Sequence, residues 1–314
     1  MTALRRVIDA ARDRVVATTT GLFSHGPVPL EHTLEHVDDP GLLGPDSVSW
    51  RVIGDAAAFV GGIRALLVQT AHPEVAAGVA DHSTYREDPL GRLSRTSVYV
   101  TETTYGARAE VDAAVAVVRR VHDPVRGASP RGRPYAASTP ELAAWVHNSL
   151  TDSFLTAYRH FGATPLSDDD ADRFVVEQRG IGELLGAAPL PSTAEELSAW
   201  LRDHPDLAGS PGQLEAVDFL RRPPLPWPVL VPYRLMFAAA AATVPERLRE
   251  IIGVEERPGA ERVGQLMIRF LRWALGSSPS WHLALVRAGA PIPDGRFRQP
   301  LPPAARELLR RRSG

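Results

Sequence analysis

Between Ser138 and Phe161 the chain carries apolar side chains almost all the way round a helix. Leu142, Trp145, Val146, Leu150, Phe154, Leu155 and Tyr158 cover more than one face at helical spacing, so this segment must be enclosed by other elements rather than laid on a surface. Ser138-Thr139-Pro140-Glu141 supplies its start: a hydroxyl cap, a proline where no helical amide partner is lost, and a carboxylate near the positive end of the helix dipole. A buried helix of this length requires a fold built around it, and the rest of the chain offers helical partners. Amphipathic or apolar helical patterns cover residues 3–16, 107–122, 167–186, 193–203, 212–221, 232–251, 260–275 and 279–288. Residues 50–81 form a long apolar stretch that breaks near His72-Pro73, and its Gly61-Gly62 pair suits a close helix–helix approach. Segments of strict apolar–polar alternation are scarce, so the expected fold is all-α, a single large helical domain. Residues 17–49 and 128–138 read as loops, Pro223 to Pro228 as a stiff extended connector, and the chain from Pro291 as a surface tail. The expected organisation is an N-terminal helix and loop over 1–44, the main domain over 45–290 and the tail over 291–314.

Composition narrows the chemistry. The chain has 314 residues, 44% hydrophobic and 23% charged, with a formal net charge of −2. That balance suits a globular protein and advertises no basic surface for nucleic acid. Cysteine is absent, which removes thiolate-ligated haem, iron–sulfur clusters and zinc–thiolate sites. All 35 basic residues are arginine, as in proteins of GC-rich bacterial genomes, so no lysine can act as a general base or Schiff-base nucleophile. Any transition metal must be held by histidine and carboxylate. No apolar run approaches the roughly 20 residues of a membrane span, and Met1 to Arg14 does not read as an export signal, so a cytoplasmic location is expected. No Walker loop, dinucleotide fingerprint, nucleophile elbow or HExxH motif occurs.

The most unusual residues lie between 88 and 147. Val111, Val115, Val118 and His122 recur at spacings of four, three and four and share a helix face. His122 thus stands where the face otherwise wants oil, one residue before Asp123-Pro124 ends the helix. It is either a core histidine satisfied by a backbone carbonyl or a metal or haem ligand. Arg92, Arg95 and Thr96 share a face if that segment is helical. They form either a solvated basic edge or a clamp for carboxylates such as haem propionates, which guanidinium matches in geometry. His147, Thr151, Phe154 and Tyr158 make a mixed face that either lines a pocket or packs as polar core. His72 reads as turning a helix end, and His204 carries no supporting pattern. A 2-His-1-carboxylate site drawn from His122, His147 and Asp123 or Asp152 is disfavoured by the helix phases.

The ordered set Leu66-Leu67-Val68-Gln69-Thr70-Ala71-His72-Pro73-Glu74, Arg92-Leu93-Ser94-Arg95-Thr96, Val118-Arg119-Arg120-Val121-His122, Tyr135-Ala136-Ala137 and Trp145-Val146-His147 resembles a known family. It is similar to the catalytic domain shared by bacterial rubber oxygenase (latex clearing protein) and the fungal endoplasmic-reticulum-bound oxygenase of mycophenolic acid synthesis, over roughly residues 45 to 290. The resemblance implies an all-helical fold enclosing b-type haem, with His122 as the iron ligand and Arg92 and Thr96 beside the macrocycle. Where rubber oxygenase carries a lysine able to reach the iron, this chain has Arg95, which stays protonated and has no lone pair to offer. Arg95 is therefore expected to donate to bound oxygen or to a propionate, and His147 to help line the cofactor.

The expected function is haem b-dependent oxygenase chemistry with dioxygen on an apolar small molecule of alkene or isoprenoid kind, with Arg92, Arg95 and Thr96 in catalytic positions. The electron donor is unknown. Three alternatives stay open on the sequence: a haem-binding sensor or carrier without turnover, a haem peroxidase, and a haem-free helical binding protein in which His122 is core.

Overall fold

A computed structural model describes residues 3–313, as fifteen α-helices with a single short hairpin of strands among them. In chain order these are α1 (Ala3–Phe23), α2 (Val48–Ile53), α3 (Ala58–Gln69), α4 (Pro73–His82), α5 (Pro89–Tyr105) and α6 (Arg108–His122). The strands β1 (Arg126–Ala128) and β2 (Pro134–Ala136) follow, then α7 (Pro140–Phe161), α8 (Asp168–Leu184), α9 (Ala194–Arg202) and α10 (Pro211–Arg221). The chain closes with α11 (Trp227–Ala242), α12 (Glu246–Ile252), α13 (Ala260–Leu275), α14 (Pro279–Ala288) and α15 (Pro303–Ser313). The fold is therefore mainly helical, as the periodicity requires. None of the described helices is long and apolar enough to cross a membrane.

The all-round apolar helix is α7, and it lies at the centre. Trp145, Phe154, Leu155, Tyr158 and Phe161 are buried in one cluster with Val60, Leu67 and Val68 of α3, Phe174 of α8, Leu197 of α9, Ala239–Ala241 of α11 and Ile268 of α13. Gly61 makes the α3–α7 contact possible: a Cβ there would lie 2.7 Å from Phe154 Cδ1 and 3.1 Å from its Cα. Gly264 does the same between α13 and α11, where a Cβ would meet that of Ala239 at 2.5 Å. Two internal ion pairs fasten these helices. Arg64 of α3 reaches Asp152 of α7 at 2.6 Å and Ser153 Oγ at 2.8 Å. Arg272 of α13 grips Asp55 with two bonds of 2.8 and 2.7 Å and donates to the Phe161 carbonyl. A smaller cluster gathers Leu30, Trp50, Tyr105, Trp281 and Leu285. Beside it the buried Arg287 donates to Thr33 Oγ1 and to the carbonyls of Asp39 and Tyr105, tying the N-terminal loop and α5 to α14.

Several local expectations shift. Helix α1 runs on to Phe23 through a segment expected to be loop. The polar stretch 128–138 contributes β2 to an antiparallel hairpin in which Gly127 pairs with Tyr135. Tyr135 anchors that hairpin to α4 through Asp81 at 2.5 Å. The pattern 232–251 is two helices, because Pro245 has no amide to continue the ladder and instead caps α12. Trp227 and Pro228 begin α11 rather than ending the connector, since a proline in the first turn gives up no helical bond. The tail contains α15, whose Arg312 donates to the Val286 carbonyl at 2.8 Å.

Candidate functional site

Helices α5 and α6 pack against each other and are joined through Gly106-Ala107; Arg92 stands in the first turn of α5 and His122 at the last position of α6. Local sequence fixes both helices. Asp88 caps α5, accepting from the Gly91 amide at 2.9 Å, with Pro89 at the first position. Glu110 accepts from the Ala107 amide at 2.8 Å and opens α6. On α6, Val111 and Val115 are buried while Val118 and His122 are half-buried, so the apolar face surfaces at the imidazole. Among the described residues the His122 ring has no hydrogen bond or ion pair, and burial holds its pKa below the usual value.

On α5 the three sequence-selected residues stand differently. Arg92 is half-buried, with its guanidinium 5.6 Å from the centre of the Tyr85 ring and no carboxylate partner. Burial, reinforced by Arg95, lowers its pKa. Arg95 is exposed and pairs with Asp88 at 3.1 Å. Thr96 is exposed and turns its hydroxyl back to the Arg92 carbonyl at 3.0 Å. One turn on, the hydroxyl of Tyr99 is buried without a partner, as is that of Tyr85. Further along, burial and the neighbouring Glu110 push Glu102 up to about 7. No hydrogen bond or ion pair links His122 to Arg92, Arg95 or Thr96.

His147 lies elsewhere, in the core. It is buried, its Nε2 is 2.9 Å from the Gln178 carbonyl, and α8 approaches so closely that a Cβ at Gly182 would meet the ring at 2.8 Å. Burial depresses its pKa to about 4, partly offset by that bond. Asp152 is committed to Arg64. Among the described residues, His122, His147, Asp123 and Asp152 do not gather into a metal-ligating group.

A different histidine set does gather. His72, the residue before α4, faces His204 and Asp206 of the loop after α9, and one donor atom from each lies within 4.8 Å of the others. They line an open cleft of about 560 Å³ together with Tyr135, Glu141 and Trp200. Burial holds His72 down at about 4, against the opposing pull of Glu74. Glu74 accepts from Ser129 Oγ and Arg131 Nε, both at 2.7 Å. These bonds hold it near 2 despite burial. Trp145 and Trp200 flank the His204 ring at 5.0 and 4.8 Å. Sequence reasoning missed this cluster, because His72 announces only a helix start. The one local hint is the His204-Pro205-Asp206 triplet in a turn.

No curated protein and no solved structure matches the chain. One family does, over residues 50–273, the family described as ER-bound oxygenase mpaB/B′/rubber oxygenase, catalytic domain. That span is most of the chain and includes α5, α6 and the central α3–α7 pair, and on it the chain belongs to this family of oxygenase catalytic domains.

Proposed function

We propose that this protein is a haem b-dependent oxygenase acting on an apolar small molecule of alkene or isoprenoid kind, with His122 as the residue that would hold the iron. The observation that carries the proposal is a set of polar groups on α5, on α6 and just before α5 that find no hydrogen-bond partner among the described residues. They are the half-buried His122 imidazole and Arg92 guanidinium and the buried hydroxyls of Tyr85 and Tyr99. Buried polar groups are normally satisfied, and the unpartnered hydroxyls of Tyr85, whose ring lies near the Arg92 guanidinium, and of Tyr99 on the same helix as Arg92 support a polar-edged ligand there. The donor chemistry fits haem b: an imidazole for iron, and a guanidinium and phenols for carboxylates. When bound, haem supplies the redox and oxygen chemistry that no side chain of this chain offers.

The chain's own residues supply the rest. A pKa below the usual value keeps His122 neutral at pH 7, with a lone pair for coordination. Arg92, stacked on Tyr85 and lacking a carboxylate, is the anchor for a propionate. The surface pairing of Arg95 with Asp88 is weak enough to exchange, so its guanidinium would be free to donate hydrogen bonds to an anionic group of the cofactor or its ligand. Thr96 fixes the turn that carries Arg92 through its bond to that residue's carbonyl. His147, with Nε2 already engaged by the Gln178 carbonyl, would act by joining α7 to α8 rather than by touching the cofactor. The test is the visible spectrum of protein expressed with ample haem. A Soret band is expected in the native chain and its loss in His122→Ala. A normal haem spectrum in that variant refutes the ligand assignment. Product formed from an alkene with dioxygen and a reductant distinguishes the oxygenase from a carrier.

A further inference from the structure

We infer that the cleft between the start of α4 and the loop after α9 binds one divalent transition-metal ion through His72, His204 and Asp206, at a site separate from His122.

The donors come from two segments remote in sequence, and their three atoms fall within 4.8 Å of one another. Bonds of roughly 2.0–2.2 Å to a tetrahedral zinc-like ion set its donors about 3.4 Å apart, so binding draws the three side chains inward by up to about 1.4 Å, through rotation of side chains that line an open cleft. His72 is 4% exposed, and its Nδ1 has no hydrogen-bond partner. Glu74 Oε2 lies 3.4 Å from Nδ1, and Glu74 is itself fixed by Ser129 and Arg131. A carboxylate behind an imidazole nitrogen is the arrangement that places the proton on that nitrogen and turns the other toward a metal.

The remaining donors are available. Among the described residues, the one hydrogen bond of the His204 ring is a 3.3 Å contact from the Asp206 amide to Nδ1. Asp206 pairs with Arg131 and Arg133 through Oδ1, leaving Oδ2 for a cation. The cleft is acid-rich: Glu74, Glu141, Asp203 and Asp206 line it against Arg133. Two imidazoles and one carboxylate favour zinc, cobalt or ferrous iron over calcium and magnesium, which take oxygen ligands. Three protein donors facing an open cleft leave a coordination position for water or a small ligand, as in catalytic rather than structural sites.

The experiment is a titration of chelator-treated full-length protein with cobalt(II) and zinc(II), followed by calorimetry and by the visible d–d absorption of cobalt. One saturable equivalent is expected, with zinc displacing cobalt. His204→Ala and Asp206→Asn should each abolish it while keeping the native helical circular dichroism. Glu74→Gln should weaken it by about 10–100-fold through the imidazole it orients. His122→Ala should leave the cobalt titration unchanged, so that failure here and failure of the haem proposal are read separately. Absence of a saturable equivalent in the native protein overturns the inference, as does unchanged binding in either His204→Ala or Asp206→Asn.

Discussion

Replacing each member of the Gly61-Gly62 pair by alanine isolates the energy of the central helix contact. Both glycines lie in α3, so both substitutions gain the same helix propensity, about 1 kcal/mol. They differ only in what the new methyl meets. At 62 nothing lies within 4 Å, whereas at 61 the methyl would sit 2.7 Å from Phe154 Cδ1, 3.1 Å from Phe154 Cα and 3.2 Å from the Ser153 carbonyl oxygen. The ring edge can rotate away, but the other two atoms belong to the α7 backbone and yield only if the helices separate. Overpacking of this kind costs about 1–3 kcal/mol. Gly62→Ala should therefore stabilise the protein by about 1 kcal/mol, while Gly61→Ala should be neutral or destabilising by up to about 2 kcal/mol. Propensity cancels in the comparison, and the gap is the contact alone. Urea denaturation reads it as opposed shifts in midpoint at an unchanged slope. Equal midpoints for the two variants would refute the idea that glycine at 61 sets the α3–α7 distance.

Other perturbations have equally definite outcomes. Asp152→Ala leaves Arg64, 2% exposed, without its counter-charge, and should cost about 3–5 kcal/mol in thermal or urea unfolding. The double variant Arg64→Leu/Asp152→Leu should cost markedly less. Because His147 is held at about 4 in the fold against 6.5 when free, the unfolded chain binds the extra proton. Its contribution is therefore complete above pH 6.5 and lost as pH falls toward 4, up to roughly 3 kcal/mol; His147→Gln should flatten the pH–stability curve in that window. Glu102 has the opposite sign. Raised to about 7 from 4.5, it stabilises the fold less as pH climbs through that interval, so Glu102→Gln should gain stability relative to the native chain at pH 8 but not at pH 4.

The pairing of two candidate sites in one chain has a common structural origin. Both use a histidine at a helix end, His122 closing α6 and His72 opening α4. Helix ends are where backbone groups run out of intrahelical partners, and there a side chain can face a cavity without breaking a ladder. The central pair α3 and α7 holds the frame between them. Trp145 connects the frame to the His72 cleft by donating to the Gln69 carbonyl at 3.1 Å while packing on His204.

What the sequence determined by itself is what nearest neighbours along the chain dictate. The all-round apolar pattern of 142–158 made α7 central, the apolar face running to His122 put that ring at the surfacing end of α6, and prolines and capping residues placed most helix starts. Each of these depends on spacings of three or four residues, which a helix converts directly into shared faces. Tertiary structure alone decided which partners the side chains found. Only packing shows that His147 spends its nitrogen on Gln178, that Arg95 turns to Asp88 while Arg92 goes unpaired, and that His72 meets His204 and Asp206 across a cleft. Such contacts join residues far apart in the chain, and no periodicity encodes them, because their distances are set by how closely whole helices approach, down to the missing methyl of Gly61.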